Sequence, residues 1–114
     1  MILATIRMTI PPKKRGDALK ILRLIAEQCR FDPGCLSCRI YGDLQEKNVL
    51  MFEEVWKSEE DLDVHMRSDE YLNLLLALEM ALKQPEIRFD TISSSAGIET
   101  IEKARSQVRW RCGL

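Results

Sequence analysis

The chain has a single histidine, His65, which lies nine positions after Trp56 in the stretch EEVWKSEEDLDVHMRSDEY, residues 53–71. A histidine in this setting can shuttle a proton, bind a metal ion or haem, or interact with the carbonyl groups at the end of a short helix. The residue type alone does not separate these roles. They depend on the elements that position the side chain and on the residues that meet it there.

Four cysteines, Cys29, Cys35, Cys38 and Cys112, form the second group of reactive side chains. Cys35 and Cys38 make a CxxC motif, which indicates redox chemistry at the start of a helix and zinc binding when a second such pair is present. Neither context occurs here. The residues after Cys35 have the pattern of a strand, so we expect the two side chains to point to opposite faces. The sequence predicts reduced, structural cysteines and no metal site, with redox sensing and adventitious metal binding as alternatives.

The composition predicts one small domain. The chain has 114 residues, of which 46% are hydrophobic, and it has 17 basic against 18 acidic residues. This balance predicts no phosphate-binding surface and no nucleic-acid partner. The first residues, MILATIRMTIPP, lack a basic leader, reach Arg7 early and are interrupted by Pro11 and Pro12, which argues against a signal peptide or a membrane span. We expect a cytoplasmic protein without membrane contact.

The hydrophobic periodicity predicts strands and helices in the order β-α-β-β-α-β. The run ILATIRMTI, residues 2–10, alternates as a strand does, and apolar residues at helical spacing follow from about Asp17. The turn DPG, residues 32–34, is expected to use a positive backbone angle at Gly34 and to lead into the strand CLSCRIYG. The run VLMFEEVW, residues 49–56, then returns as its antiparallel neighbour.

Two helices are predicted after the third strand. Ser58 is expected to cap a short helix that carries His65, and Ser68 to cap a leucine-rich helix that ends at Pro85 and buries two faces. EIRFDTISS then supplies the fourth strand. A helix from about residue 97 to residue 107 and the basic tail RWRCGL complete the chain, so we divide it into a main domain, 1–96, and a C-terminal segment, 97–114.

This order of elements predicts an α+β, ferredoxin-like fold with a four-stranded antiparallel sheet whose helices cover one face. The other face is expected to carry Leu3, Leu36 and Leu50, which are too apolar to face water. A homodimer that packs sheet against sheet would bury these side chains. We therefore expect a homodimer.

The run DPGCLSCRIYGDLQEKNVLMFEEVWKSEEDLDVHMRSDEY resembles the antibiotic biosynthesis monooxygenase domain family. The residues that carry the resemblance are the turn Pro33-Gly34-Cys35, the strand end Glu54-Val55-Trp56, His65 and Ser68, and the likeness extends over about residues 2–92. It implies a dimeric α+β barrel. Some members of this family oxidise electron-rich phenols, quinols or anthrones without a cofactor, some degrade haem, and many have no assigned activity, so the fold alone does not transfer a reaction.

The haem-degrading members are distinguished by three residues. Their pattern has an asparagine on the first strand, a tryptophan on the short helix and a histidine ten residues later as the iron ligand. This chain has Ile6, His65 and Leu75 at those places. Leucine cannot coordinate iron, so haem degradation is not expected.

The monooxygenase members imply a role for five residues. His65 would accept a proton from the substrate and Glu54 would orient the base or the substrate. Trp56 would form a flat wall, while Tyr71 and Arg7 would hold a phenolic oxygen. The resemblance thus implies a small aromatic or apolar ligand and an enzyme that needs no flavin, haem or metal.

Structural roles are open for the same residues. His65 could cap its helix, Trp56 could be core packing, and Glu54 could pair with Arg7 or Arg39 across the sheet. Many relatives have a second histidine near position 70, where this chain has Glu70. The alternative function is a dimeric, non-catalytic module for ligand binding or stress response.

Overall fold

A computed structural model describes residues 1–106 of the chain. The strands are β1 (Ile2–Thr9), β2 (Cys35–Gly42), β3 (Val49–Trp56) and β4 (Glu86–Thr91). The helices are α1 (Pro12–Cys29), α2 (Glu59–Met66), α3 (Asp69–Glu79) and α4 (Ile98–Ala104). The predicted α+β fold with the split β-α-β-β-α-β order is confirmed, with α2 as the extra short helix. The basic tail, Cys112 and the expected helix end at residue 107 lie outside the described residues.

The four strands form one antiparallel sheet in the order β2-β3-β1-β4. On β1 the buried residues alternate with half-exposed ones, because successive side chains of a strand point to opposite faces. The central pair aligns Ile6 with Phe52, and Ile6 also aligns with Ile87 of β4. The even-numbered residues of β3, from Leu50 to Trp56, therefore share the face that the helices cover.

Helix α1 packs a stripe of side chains at helical spacing against the sheet: Ala18, Leu22, Ile25 and Cys29. It begins at Pro12, five residues before the predicted start, because proline has no N–H to lose at the first helical position and its fixed backbone angle suits a helix. Cys29 is the last residue of α1 and is buried. The helix thus ends with a thiol inside the protein.

Three sequence expectations about the elements are wrong. Leu50 does not lie on the outer face, because it pairs with buried Met8 and has only 1% of its surface exposed. Helix α3 ends at Glu79, well before Pro85, and within one chain it buries one face and leaves Leu72 exposed. Ser68 precedes α3 but makes no capping bond with its side chain, since its hydroxyl donates to the carbonyl oxygen of His65 at 2.6 Å. The cap of α2 is confirmed, because the hydroxyl of Ser58 accepts from the amide of Asp61 at 3.2 Å.

A glycine is required at position 34 because the side chain of Asp61 approaches its Cα closely, and not because of its backbone angle. No described glycine has a positive φ, which corrects the expectation for this turn. A Cβ atom at Gly34 would lie 2.6 to 2.8 Å from the side chain of Asp61, in the first turn of α2. The carbonyl oxygen of Gly34 also accepts from the amide of Lys57 at 2.9 Å. The turn before β2 is therefore held against the start of α2.

Parts of the chain leave apolar surface without a cover. The radius of gyration is 17.2 Å, whereas a compact domain of this length has about 13 Å. Helix α4 buries none of its side chains against the described residues. On β4, Ile87 and Phe89 point to the helix side of the sheet but remain about half exposed. These surfaces favour association with a second copy, in addition to the half-exposed Leu3 and Val55 on the outer face of the sheet.

None of the helices in the described part of the chain is long and apolar enough to cross a lipid bilayer.

We expect Gly34→Ala to lower the free energy of unfolding by about 1–3 kcal/mol, because the added methyl group would overlap the side chain of Asp61. Gly16→Ala is the matched control. Nothing lies within 4 Å of a Cβ atom at Gly16, inside α1, so this change should stabilise the protein by about 0.5–1 kcal/mol. Chemical denaturation of both variants measures the difference. Equal stability of the two variants would contradict the steric role of Gly34.

We expect a homodimer in solution because one chain leaves both sheet faces partly apolar and exposed. Light scattering should give about twice the 13.2 kDa mass of the chain. Val55→Glu, on the outer face of the sheet, should shift the equilibrium towards the monomer. Leu44→Glu, in a fully exposed loop position, should not. A monomer at all micromolar concentrations would show that this surface is tolerated in water.

Candidate active site

A β-bulge at Leu36 determines where the cysteines of β2 point. Cys35 pairs with Trp56 and Cys38 pairs with Glu54, so the strand has one residue more than its partner between these pairs. Trp56 and Glu54 face the helices, and therefore Cys35 and Cys38 both face the helices as well. The sequence expectation that these two thiols lie on opposite faces is wrong, because it assumed an uninterrupted strand.

Cys29 joins this pair from the end of α1. Its Sγ lies 3.5 Å from Oε2 of Glu54, and Cys29 lines the same cavity as Cys35 and Cys38. The hydrogen bond with Cys38, burial and the nearby carboxylate of Glu54 all raise the pKa of Cys29. Burial raises the pKa of Cys35 to about 12, with further contributions from Cys29 and Glu54. The three residues are free cysteines, as expected.

His65 meets the other side of Glu54. The imidazole Nε2 lies 2.9 Å from Oε2 of Glu54, and both side chains are buried, with 8% and 2% of their surface exposed. The contact has ion-pair distance but not the alignment of a hydrogen bond, since Nε2 has no hydrogen-bond partner among the described residues. The imidazole lies in the last turn of α2 and points into the protein, so its side chain is not bonded to the carbonyl groups at the helix end.

Two aromatic rings pack against the imidazole of His65. The ring of Trp56 stacks on it with a centroid distance of 4.5 Å, and the ring of Tyr71 from α3 meets it edge-on at 5.2 Å. Trp56 is completely buried, and burial raises the pKa of the Tyr71 hydroxyl, with a smaller contribution from Glu54. The structure therefore brings together four of the five residues singled out in the sequence: Glu54, Trp56, His65 and Tyr71.

Arg7 does not belong to this cluster. It alternates with the buried residues of β1 and lies on the opposite face of the sheet, where its guanidinium contacts Asp43 at 3.0 Å and Glu46 at 3.6 Å. Arg39 is also on the outer face, because it pairs with Glu53 and not with Glu54. The structural alternative in which Arg7 or Arg39 neutralises Glu54 is therefore wrong.

Two cavities reach this cluster from different sides. The smaller one, about 200 Å³, lies against His65 and has two acidic residues in its lining, Asp32 and Glu70. The larger one, about 660 Å³, lies between α1 and β2, and its lining includes Arg23, Arg30 and Arg39. Cys29 lines both cavities. Cys29 was not predicted from the sequence to be a site residue. It ends the apolar stripe of α1 and is thereby directed inward.

The fold defines an α+β protein of the ferredoxin-like class, with a buried carboxylate–imidazole pair beside a small cavity. The family model for antibiotic biosynthesis monooxygenases matches residues 1–75. The chain belongs to the antibiotic biosynthesis monooxygenase family.

Individual proteins are similar to this chain in part of their sequence or in fold. The uncharacterized protein sll1783 of Synechocystis sp. is 32% identical over 59 residues, which are 52% of this chain and 40% of that protein. A conserved protein of Methanosarcina mazei superposes with a TM-score of 0.73 at 27% identity, over 78% of this chain and 89% of its own. An antibiotic biosynthesis monooxygenase of known structure has the same fold, with a TM-score of 0.74 at 19% identity over 82% of this chain and all of its own length.

We expect Cys35 to react slowly with iodoacetamide although it is only partly buried. With its pKa raised to about 12 the thiol stays protonated at pH 8, and the thiolate is the reactive form. Peptide mapping should give a rate roughly tenfold or more below that of the same residue in denaturant. The rate should rise steadily as the pH approaches 12. Equal rates in the native and denatured protein would contradict the environment described for Cys35.

Proposed function

We propose that this protein is a cofactor-independent monooxygenase that acts on a small electron-rich aromatic compound. The observation that carries the proposal is the buried contact of 2.9 Å between Glu54 and His65, beside a cavity and against the ring of Trp56. His65 would take the proton of a phenolic hydroxyl group, and Glu54 would stabilise the imidazolium that forms. Membership of the family supports this class of reaction without fixing the substrate.

A quinol supplies the electrons for this reaction itself. Its anion passes one electron to dioxygen, and recombination forms a bond between carbon and oxygen. The second oxygen atom leaves as water, so one quinol and one dioxygen give one hydroxyquinone and one water. No external reductant is needed. The protein has to bind the quinol, exclude bulk water and accept a proton.

The cavity beside His65 favours a single-ring quinol over a polycyclic anthrone. Its volume is about 200 Å³, below the range of roughly 300–1,000 Å³ of sites for drug-sized ligands. Asp32 and Glu70 in its lining disfavour a substrate that is already an anion. A neutral quinol that loses its proton to His65 inside the cavity fits both features.

An oxygen electrode with a panel of single-ring quinols tests the proposal. We expect one dioxygen consumed per quinol, and a loss of roughly 100-fold or more in kcat/KM for His65→Gln and Glu54→Gln, which remove the proton acceptor and its carboxylate. Glu53→Gln is the matched control, since the neighbouring Glu53 lies on the outer face of the sheet and should keep full activity. Dimer mass and melting temperature show that each variant is folded.

The alternative function, a non-catalytic binding module, predicts a different result. No quinol would be turned over, but a bound ligand would quench the fluorescence of Trp56, which stacks on His65. Trp110→Phe leaves Trp56 as the single tryptophan for this measurement. Quenching without oxygen uptake by any quinol would replace the enzyme proposal with the module. The homodimer and the cytoplasmic location stay predictions under either function.

A further inference from the structure

Three different donor atoms converge in the interior beside the cavities. The Sγ of Cys29, a carboxylate oxygen of Glu54 and a ring nitrogen of His65 all lie within 4.8 Å of one another, and the three residues are buried. They come from the end of α1, from β3 and from the last turn of α2. Thiolate, carboxylate and imidazole are the ligands that zinc takes in proteins.

Two of the three distances between these atoms, those to Glu54, are close to the distances around one tetrahedral ion. With the bond lengths of zinc sites, tetrahedral geometry separates sulfur from oxygen by about 3.6 Å and oxygen from nitrogen by about 3.3 Å. The structure has 3.5 Å from Cys29 to Glu54 and 2.9 Å from His65 to Glu54. The third distance, from Sγ of Cys29 to the ring nitrogen of His65, is within 4.8 Å. A tetrahedral zinc ion separates sulfur from nitrogen by about 3.6 Å, so these two side chains would approach each other by up to roughly 1.2 Å to complete the site.

The buried polar atoms of this group have few partners among the described residues, and one of them has none, although the thiol of Cys29 donates to Glu54 at 3.5 Å. Nε2 of His65 is buried without a hydrogen-bond partner in the described part of the chain. Glu54 is 2% exposed, and within residues 1–106 its one ion-pair contact is with His65. A buried carboxylate is stable when a cation or several hydrogen bonds accompany it. A divalent ion would give Nε2 of His65 a partner and would balance the charge of the Glu54 carboxylate.

We propose that Cys29, Glu54 and His65 form a binding site for a borderline-soft divalent cation, foremost Zn²⁺. Binding would release the proton of Cys29, and the thiolate and the carboxylate would then neutralise the two charges of the ion. The fourth position would be taken by water or by Cys38, which pairs with Glu54 across the sheet and faces the same side. This proposal differs from the sequence expectation of no metal, which rested on motif spacing along the chain.

The smaller cavity provides a route for the ion. It touches both Cys29 and His65, and its lining contains Asp32 and Glu70 but no lysine or arginine. A cavity with this charge concentrates cations.

The site would also regulate the proposed reaction. A neutral imidazole has only one basic lone pair. If Nε2 coordinates the metal, the other ring nitrogen carries the proton and cannot accept one from a substrate, so metal binding and proton acceptance exclude each other. Zn²⁺ should therefore inhibit quinol oxidation and a chelator should restore it. This inhibition rests on the proposed function, whereas the binding itself does not.

Co²⁺ titration of the untagged, reduced protein tests the binding without reference to activity. We expect one ion per chain, a thiolate-to-cobalt absorption band, and displacement by Zn²⁺. Cys29→Ser and His65→Gln should weaken binding by more than roughly 100-fold, the upper end of the cost of losing an outer-shell partner. Cys35→Ser is the matched control and should keep the site, because Cys35 is not one of the three ligands.

The outcomes separate the two proposals. No binding to the wild type, binding unaffected by Cys29→Ser, or binding lost equally in Cys35→Ser would overturn the metal site. A cobalt band with the expected variant pattern supports it even if no quinol is oxidised. Binding of Zn²⁺ that leaves oxygen uptake unchanged would overturn the inhibition and the role of His65 as base, while the site itself would stand.

Discussion

The buried carboxylate of Glu54 is the constraint on which the arrangement of this protein depends. A carboxylate on the core face of a central strand costs several kcal/mol unless neighbouring groups compensate for it. Glu54 is 2% exposed, and its contacts are with His65 at 2.9 Å and with Cys29 at 3.5 Å. Two helices must therefore end beside the same residue of β3. The contacts of Glu54 therefore place the ends of α1 and α2 side by side.

Local interactions fix where α2 ends. The side chain of Ser58 caps its first turn, and the hydroxyl of Ser68 bonds the carbonyl of His65 just after the last turn. Gly34 lets the turn before β2 approach Asp61 in the first turn of α2. The imidazole and the thiols of β2 are thus positioned by the same contact. A substitution of Gly34 would therefore shift the imidazole and the thiols, although Gly34 contacts neither Glu54 nor His65.

Hydrophobic periodicity and helix-capping residues correctly predicted the features of this fold that arise within single helices and strands. The alternation along β1, the cap at Ser58 and the shared face of Glu54 and Trp56 follow from single elements, and the structure agrees. The cysteine cluster could not be predicted in this way, because the bulge at Leu36 arises in the pairing of β2 with β3 and has no signature in the sequence. Strand alternation places Arg7 on the face of the sheet away from the site, and this could have been predicted from the sequence.

The residues that identify the family explain the scaffold better than the reaction. Gly34 is explained by its approach to Asp61 and Ser68 by its bond to the carbonyl of His65, both of which are structural roles. At Glu70, where the resemblance led us to look for a second histidine, the side chain lines the small cavity. An acidic group there selects neutral or cationic occupants. The specific chemistry of this protein should therefore be sought in its cavity-lining departures and in Cys29, and not in the motifs that place it in the family.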